Sequence, residues 1–246
     1  MEKYKDAFGQ EMYNCLQGKG GAEIVERDDG HFDVSGGPGF YLSEYKNWPV
    51  HQKKALRYAR GKVLDIGCGA GRHCLYLQKK GLDVLGIDNS PLAIKVCKLR
   101  GLRKAKVMSI TEVSSKLGRF DTILMLGNNF GLFANIKRAK RLLKRFHKMT
   151  TSKAKIIAES RDPYLTDDPA HLAYHKLNKS RGRMAGQVRI RVRYKKHVTP
   201  WFDYLLASKD EMQQILARTG WMVNRFIDAD ASQYIAIIEN QNSKRN

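Results

Sequence analysis

The chain has 246 residues, of which 45 are lysine or arginine and 24 are aspartate or glutamate, so its formal net charge is +21 at pH 7. This basic balance favours an anionic partner, such as RNA or a phosphorylated or carboxylated small molecule. The absence of any run of about 18 apolar residues argues against a membrane span, and we expect a cytoplasmic protein because no signal peptide opens the sequence.

The first 60 residues are predicted to form an N-terminal extension of the main fold. The sequence IVERDDGHFDV alternates between apolar and polar residues around an Asp-Gly pair, which is typical of a β-hairpin. A glycine-rich break then separates this hairpin from a further helix. The predicted elements are a helix over 2–17, a hairpin turn at Asp29-Gly30, a break at 35–40 and a helix near 48–59.

From Lys62 onward, short apolar runs alternate with segments of helical spacing, which is the pattern of βα units in a parallel sheet. Ser90 and Pro91 are typical of a helix N-cap and of the first helical position. After residue 207 come a capped helix and two strands that we expect to close the sheet. The predicted strands of the repeat are 63–67, 83–88, 105–110, 120–126 and 154–160, and the helices between them are 71–80, 90–100 and 134–149.

A glycine-rich turn joins the first of these strands to a helix, in the sequence VLDIGCGAGRH at 63–73. Gly67 and Gly69 allow a tight turn and a close approach of the backbone to a ligand, and the N–H groups at the helix start suit an anionic group. Asp88 ends the next strand, 21 residues after Gly67, where its carboxylate can accept hydrogen bonds from ribose hydroxyls. The pattern predicts a nucleotide-like ligand at this edge of the sheet.

A dinucleotide-binding Rossmann domain is the first alternative, because it combines the same kind of turn with an acid about 20 positions further on. Its third glycine would fall at Arg72, so that fingerprint is broken, and Asp65 stands inside the strand where the fingerprint needs no acid. The pattern D-x-G-x-G-x-G followed by Asp88 resembles that of the class I S-adenosylmethionine-dependent methyltransferases. Residues 62–160 and 208–239 follow the order of units in that family.

The resemblance implies a Rossmann-like, doubly wound α/β fold, with a mostly parallel seven-stranded sheet and an antiparallel last strand. It also implies S-adenosyl-L-methionine as the cofactor, with Asp65 beside its methionine part and Asp88 at its ribose. Asn89 would reach the adenine, and Arg72 either pairs with the cofactor carboxylate or faces solvent. The predicted cofactor-binding residues are Tyr41, Asp65, Gly67, Cys68, Gly69, Arg72, Asp88, Asn89, Ser109, Ile110, Leu126 and Asn128.

Three of these positions have alternatives. Ile110 stands where the family often has an acid for the adenine amino group, which leaves that role to the backbone or to the hydroxyl of Ser109 or Thr111. Tyr41 either closes over the cofactor or packs in the core. Asn128 lies in MLGNNFGLF, which only weakly resembles the Asn-Pro-Pro-Tyr motif of nucleobase amino methyltransferases, and it forms either a ligand contact or a structural turn.

The segment 161–207 follows the fifth strand and is predicted to cover the ligand crevice at the carboxyl ends of the strands, as a substrate lid. It contains a helix capped by Asp167 or Asp168, with Pro169 early in it. Two alternating strands follow, and the first has three arginines on one face. That face is either exposed to solvent or binds a carboxylate or phosphate of the acceptor.

Proton acceptors and acceptor-binding residues are expected in and beside this lid. Both histidines of the lid helix have the alternative of being surface or packing residues, and both aromatic residues have the alternative of belonging to the core. The candidate catalytic residues are Glu159, His171 and His175, and the candidate substrate-binding residues are Asn129, Arg161, Trp201 and Tyr204.

The composition and the motifs together predict one methyltransferase domain acting on a polar or anionic small molecule, as a monomer or homodimer. Modification of tRNA or rRNA and a non-catalytic cofactor-binding or RNA-binding role are the alternatives, and the basic segment 137–148 is either a solvated helix face or a nucleic-acid patch. Four cysteines without a CxxC pair or metal-type spacing predict reduced thiols, and no metal site is predicted at His171 and His175 because no third ligand has convincing spacing. The predicted parts of the single domain 1–246 are an extension over 1–60, a cofactor-binding core over 61–160 and 208–240, and a lid over 161–207.

Overall fold

The computed structural model describes residues 5–35, 37, 39–229 and 232–241. The α-helices within those ranges are α1 Ala7–Leu16, α2 Gly39–Leu42, α3 Val50–Leu56, α4 Arg72–Lys79, α5 Pro91–Leu99, α6 Ile136–Lys148, α7 Pro169–Ser180 and α8 Lys209–Leu216. The strands are β1 Ile24–Arg27, β2 Phe32–Val34, β3 Lys62–Ile66, β4 Asp83–Asp88, β5 Ala105–Val107, β6 Phe120–Met125, β7 Thr150–Arg161, β8 Gln187–Tyr194, β9 His197–Val198, β10 Phe202–Leu205, β11 Trp221–Asp228 and β12 Gln233–Asn240. Short 3₁₀ helices cover Tyr45–Asn47, Ser115–Leu117 and Asn129–Phe133.

The chain divides into two compact units, each built from three stretches of sequence. Unit 1 comprises the described residues up to Trp48, Lys62–Val113 and Arg189–Phe202. Unit 2 comprises Pro49–Gly61, Ser114–Val188 and the described residues from Asp203 onward.

Unit 1 contains three parallel strands, β3, β4 and β5, that pair in that order. The apolar residues of β3 are buried, as is typical of a parallel strand that is covered on both faces. Ser90 caps α5 by accepting a hydrogen bond from the backbone N–H of Ala93, with Pro91 at the start of the helix, which confirms the predicted cap. The third strand ends at Val107 rather than at the predicted residue 110, because the backbone N–H of Ser109 binds the side chain of Glu112 instead of continuing the ladder.

The N-terminal part of unit 1 covers this βα core through α1. Met12 packs with Ala93 of α5 in one buried cluster, and Asp6, which caps α1, also accepts a hydrogen bond from the hydroxyl of Ser90 at 2.8 Å. The predicted hairpin is confirmed, since β1 and β2 pair antiparallel on either side of the turn. β1 also pairs antiparallel with β8, a contact between distant parts of the sequence that no local pattern indicated.

Unit 2 contains the parallel pair β6 and β7, followed by β12 and β11. β12 runs antiparallel to both of its neighbours. These four strands and the three of unit 1 are the seven strands of a mostly parallel sheet with an antiparallel last strand, which confirms the predicted α/β fold class.

Two amphipathic helices pack in unit 2. In α6, Leu142, Leu143 and Phe146 are buried while the basic residues lie on the remaining faces, and the indole N–H of Trp221 donates to the Leu143 carbonyl at 3.0 Å. α8 begins with a capping box formed by Ser208 and Glu211. Within the described ranges, no helix combines the length and the hydropathy that a bilayer crossing requires.

Candidate functional site

The glycine turn of unit 1 is held against the end of β4. Gly67, Gly69 and Gly71 all have positive φ angles, 70°, 54° and 77°, a conformation that side chains disfavour. The N–H of Gly67 donates to the Ile87 carbonyl at 2.8 Å, and the N–H of Gly69 donates to a carboxylate oxygen of Asp88 at 3.0 Å. The turn therefore presents bare backbone beside Asp88, the carboxylate that is predicted to bind the ribose.

Two carboxylates lie at this turn. Asp65 is 2% exposed and accepts a hydrogen bond from the thiol of Cys74 at 3.1 Å. Burial raises the pKa of Asp65 to about 6, and burial also raises the pKa of Asp88 above its usual value. A carboxylate that has lost water in this way is stabilised by a cationic neighbour. The site is accordingly suited to a ligand that carries positive charge.

Three buried thiols lie beneath the turn. Cys97 donates from its thiol to the Gly69 carbonyl at 3.1 Å, and its sulfur lies 3.9 Å from that of Cys68. Burial raises the pKa of Cys74 to about 12, so this thiol stays protonated and acts as the donor to Asp65. All four cysteines of the chain are free, as predicted. The predicted cofactor contact Cys68 is buried in this cluster.

Arg72 begins α4 directly after the turn and is only 6% exposed. Its guanidinium lies 3.9 Å from the centre of the Phe40 ring and donates to the hydroxyl of Ser43 at 3.2 Å. Of the two alternatives for this residue, the solvent-facing one is therefore wrong. Cation–π packing holds the charge within unit 1, beside the N-terminal extension.

Side chains of the N-terminal extension reach the turn. A methyl group added at Gly69 would lie 3.3 Å from the terminal carbon of Met12 and 3.9 Å from the ring of Tyr41. The hydroxyl of Tyr41 donates to Glu23 at 2.8 Å. Tyr41 therefore packs in unit 1 and lies beside the turn, and its closure over the cofactor stays a prediction.

A pair of buried acids, Glu11 and Glu23, lies in the same extension and was missed by sequence reasoning. Glu11 is 0% exposed, and burial together with the neighbouring Glu23 raises its pKa to about 9. The sequence does indicate that Glu11 is buried, because Glu11 follows Ala7 by four positions and therefore lies on the same, buried face of α1.

The predicted adenine contacts follow the ends of β4 and β5. Asn89 is exposed, Ser109 is half-buried with its hydroxyl 3.0 Å from that of Thr111, and Ile110 is buried. Glu112 lies two positions beyond Ile110 and accepts the backbone N–H of Ser109 at 2.7 Å. An acid is therefore present in this loop, although not at the position where the family pattern places it.

In unit 2, the carboxyl ends of β6 and β7 meet around Glu159. This side chain is 2% exposed, and one of its oxygens accepts hydrogen bonds from the backbone N–H of Gly127 at 2.7 Å and from the amide of Gln52 at 2.9 Å. Its other oxygen lies 3.4 Å from Nε2 of His51. Glu159 therefore holds the turn after β6, and two residues of α3 that the sequence did not single out lie with it.

The turn after β6 places Asn128 in the left-handed region, with φ at 61°. Its side-chain oxygen is buried and has no hydrogen-bond partner among the residues described. The hydroxyl of Tyr204 donates to the Asn128 carbonyl, and the Tyr204 ring lies against Gly131, where an added methyl group would come within 2.2 Å of it. The predicted residues Asn128 and Tyr204 are thus neighbours, with Leu126 buried and Asn129 half-buried in the same turn.

The lid helix α7 begins at Pro169 and is capped by Asp168, which confirms one of the two predicted caps. Nδ1 of His171 lies 3.2 Å from the hydroxyl of Thr166, and the ring of His175 packs 5.9 Å from that of Tyr164. Both histidines are half-buried, and Arg161 is exposed at the end of β7. Both of these histidine contacts are to residues near them in the sequence, within the lid segment.

The arginine face of β8 is paired with an acid in unit 1. Arg191 and Arg193 both bind Glu26 on β1, and the Arg191 contacts are 2.9 and 2.8 Å. These hydrogen bonds lower the pKa of Glu26 to about 2. The Arg191 guanidinium also lies 4.5 Å from the centre of the Trp201 ring. Glu26 therefore neutralises part of the arginine face, for which the sequence leaves two alternatives, binding of an anionic group of the acceptor or exposure to solvent.

Comparisons with known proteins agree with this geometry. Residues 63–153 match a sequence model of the family described as "Methyltransferase domain". A solved S-adenosylmethionine-dependent methyltransferase from Bacteroides fragilis, in complex with S-adenosyl-L-homocysteine, is 25% identical, with a TM-score of 0.82 over 98% of this chain and 97% of its own.

Curated relatives match a smaller part of the chain. A glycine/sarcosine N-methyltransferase from Halorhodospira halochloris is 25% identical over 107 residues, which cover 41% of this chain and 40% of the relative. A ubiquinone biosynthesis O-methyltransferase from Xanthomonas oryzae pv. oryzae is 33% identical over 98 residues, which cover 36% of this chain and 41% of the relative. The chain thus spans about two fifths of the length of these two relatives.

Proposed function

Since the chain belongs to the class I S-adenosylmethionine-dependent methyltransferases, we propose that it transfers a methyl group from S-adenosyl-L-methionine to a polar small molecule. The observation that carries the proposal is the bond between the N–H of Gly69 and the carboxylate of Asp88. It joins the glycine turn to the acid that the family pattern requires, in one compact part of unit 1.

The residues of unit 1 fit this cofactor. One oxygen of the Asp88 carboxylate accepts the backbone N–H of Gly69 and the other accepts that of Ser90, and a carboxylate has about four lone pairs, so it can also accept a ribose hydroxyl. Gly67 and Gly69 leave room for the methionine part, and Asp65 supplies negative charge toward its ammonium group. When bound, the cofactor supplies an activated methyl group on a sulfonium, so the residues of the chain need chiefly to align the reactants and exclude water.

A small acceptor is supported by the relatives, one of which acts, by its name, on glycine and sarcosine. The lid segment also supports a small acceptor, because α7 and β8 are short elements and not a separate binding domain.

The chain would then act as one domain, in the cytoplasm, as a monomer or homodimer. Size-exclusion chromatography with light scattering distinguishes these two assemblies.

Methylation of RNA is the second candidate function, because the helix α6 is strongly basic. Its 13 residues include seven lysines and arginines and no acid, and the buried face consists of apolar residues alone. Phosphate contacts of such a helix would show a steep dependence of binding on salt. Binding of bulk tRNA that weakens by orders of magnitude between about 50 and 200 mM salt, together with transfer of labelled methyl to it, would favour this candidate.

Calorimetric titration with S-adenosyl-L-methionine and S-adenosyl-L-homocysteine, at two salt concentrations, tests the donor site. We expect saturable binding that Asp88→Ala removes. Asp83→Ala is the matched control, since Asp83 lies at the other end of β4 and pairs with Lys104 at the surface. Absence of binding by the unmodified protein would refute the methyltransferase proposal.

A further inference from the structure

His51 has no assigned role, yet it lies against the carboxylate at the ends of β6 and β7. Its Nε2 is 3.4 Å from Glu159, and the two side chains are 10% and 3% exposed. The residue is the second of α3, one position before Gln52, which binds the same carboxylate. Two consecutive side chains of one helix are therefore directed to a single buried acid.

The pairing determines which nitrogen of the ring is available for chemistry. The N–H groups of Gly127 and Gln52 both bind one oxygen of Glu159, so the other oxygen faces Nε2 of His51. Because a carboxylate can only accept hydrogen bonds, its contact with Nε2 favours the form of the ring that is protonated on Nε2 and carries the lone pair on Nδ1. This is the arrangement in which a carboxylate orients a histidine as a general base.

The pair lies beside the turn that follows β6, at the carboxyl ends of β6 and β7. Gly127, which binds Glu159, precedes Asn128, whose buried side-chain oxygen lacks a partner among the described residues. In open α/β sheets the ligand crevice lies outside the carboxyl ends of the strands, where this turn follows β6. An unpaired buried oxygen at such a place is suited to accept a hydrogen bond from a bound polar molecule.

We propose that His51 is the general base for an acceptor hydroxyl, that Asn128 binds the acceptor, and that Glu159 is a positioning residue. The inference rests on the proposed methyl transfer. As the acceptor oxygen bonds to the methyl carbon, the sulfur–carbon bond breaks and its electron pair stays on sulfur. The hydroxyl proton passes to Nδ1 of His51 and is then released to water.

A hydroxyl acceptor is favoured over an amine for a chemical reason. A neutral amine attacks with its own lone pair and can lose its proton after the transfer, whereas a hydroxyl is a weak nucleophile until a base removes its proton. A histidine oriented by a buried carboxylate supplies that base. The inference moves the proton-accepting role from Glu159, His171 and His175 to His51, because the Glu159 oxygens already hold Gly127, Gln52 and His51.

The first test is methyl transfer from labelled S-adenosyl-L-methionine to a panel of phenols and hydroxy acids, each paired with its amine analogue. We expect hydroxyl compounds to be methylated, and His51→Gln to lower kcat by about 10²- to 10⁴-fold with little change in KM. Imidazole should partly restore the activity of His51→Ala. His31→Gln, in the hairpin turn of unit 1, is the control and should retain full activity.

A second measurement does not depend on knowing the acceptor. Nitrogen-15 NMR of the histidine rings should show neutral His51 protonated on Nε2, and Glu159→Gln should change the ratio of its two neutral forms. Neutral His51 protonated on Nδ1 would overturn the inference, as would methylation of amines alone or a kcat unchanged in His51→Gln. Titration with S-adenosyl-L-homocysteine separates the two proposals. If the His51 experiments contradict the inference while the protein still binds S-adenosyl-L-homocysteine, the methyltransferase proposal stands.

Discussion

The carboxylate of Asp88 accepts the backbone N–H of Gly69 at 3.0 Å across 19 positions of sequence, and this bond ties the glycine turn to the end of β4. Asp88→Asn keeps the size of the side chain but removes charge and one acceptor oxygen. We expect S-adenosyl-L-homocysteine to bind at least tenfold more weakly, about 1.4 kcal/mol, in calorimetric titration. Equal affinity in Asp88→Asn and the unmodified protein would contradict a role for this carboxylate.

Gly69→Ala tests the close approach of the N-terminal extension to the turn. The new methyl group would meet Met12 at 3.3 Å in a backbone conformation with φ at 54°. Gly81→Ala is the matched control, because its φ is 85° and no atom lies within 4 Å of the added methyl group. We expect chemical denaturation to show a loss of about 1 to 2 kcal/mol in both variants from backbone strain. Only Gly69→Ala should also weaken S-adenosyl-L-homocysteine binding.

Gly131→Ala tests the contact between the turn after β6 and Tyr204. The methyl group would lie 2.2 Å from the Tyr204 ring, so that ring must move and lose its hydrogen bond to the Asn128 carbonyl. We expect a destabilisation of about 2 kcal/mol or more, measured by urea unfolding. Tyr204→Phe, which removes only the hydroxyl, should cost about 1 kcal/mol. An equal loss in the two variants would mean that the ring position is unimportant.

Glu11 makes stability depend on pH. Its pKa is about 9 in the folded protein, because of burial and Glu23, against an ordinary value of 4.5. The unfolded chain therefore releases this proton at lower pH than the folded chain, so the contribution is complete below pH 4.5 and is lost as the pH rises toward 9. We expect Tm to fall by about 5 °C or more between pH 5 and pH 9.

Glu11→Gln should flatten that pH dependence, since a buried amide does not titrate. Glu44→Gln is the control, because the Glu44 side chain is largely exposed, and it should keep the slope of the unmodified protein. Differential scanning fluorimetry over the pH series measures both variants. A Glu11→Gln variant with the same slope as the unmodified protein would show that another group causes the dependence.

Local features of the chain were predictable from the sequence. The hairpin turn at Asp29-Gly30, the cap at Ser90 and the glycine turn follow from backbone preferences and short-range hydrogen bonds, which act within a few residues. Asp88 was predictable from its spacing after the glycine turn, at the end of the next strand. The alternation of strands and helices predicted the class of the sheet for the same reason, because burial on both faces requires continuous apolar runs.

Tertiary structure alone decided which distant side chains meet. The His51–Glu159 pair is separated by 108 positions, and the bonds from Arg191 to Glu26 by 165. The burial of Arg72 under the ring of Phe40 likewise depends on how the N-terminal extension folds back on α4. Such contacts depend on the path of the whole chain, which periodicity and capping rules do not encode. The sequence by itself therefore determined the elements and the cofactor turn, and the fold determined the partners of the buried charges.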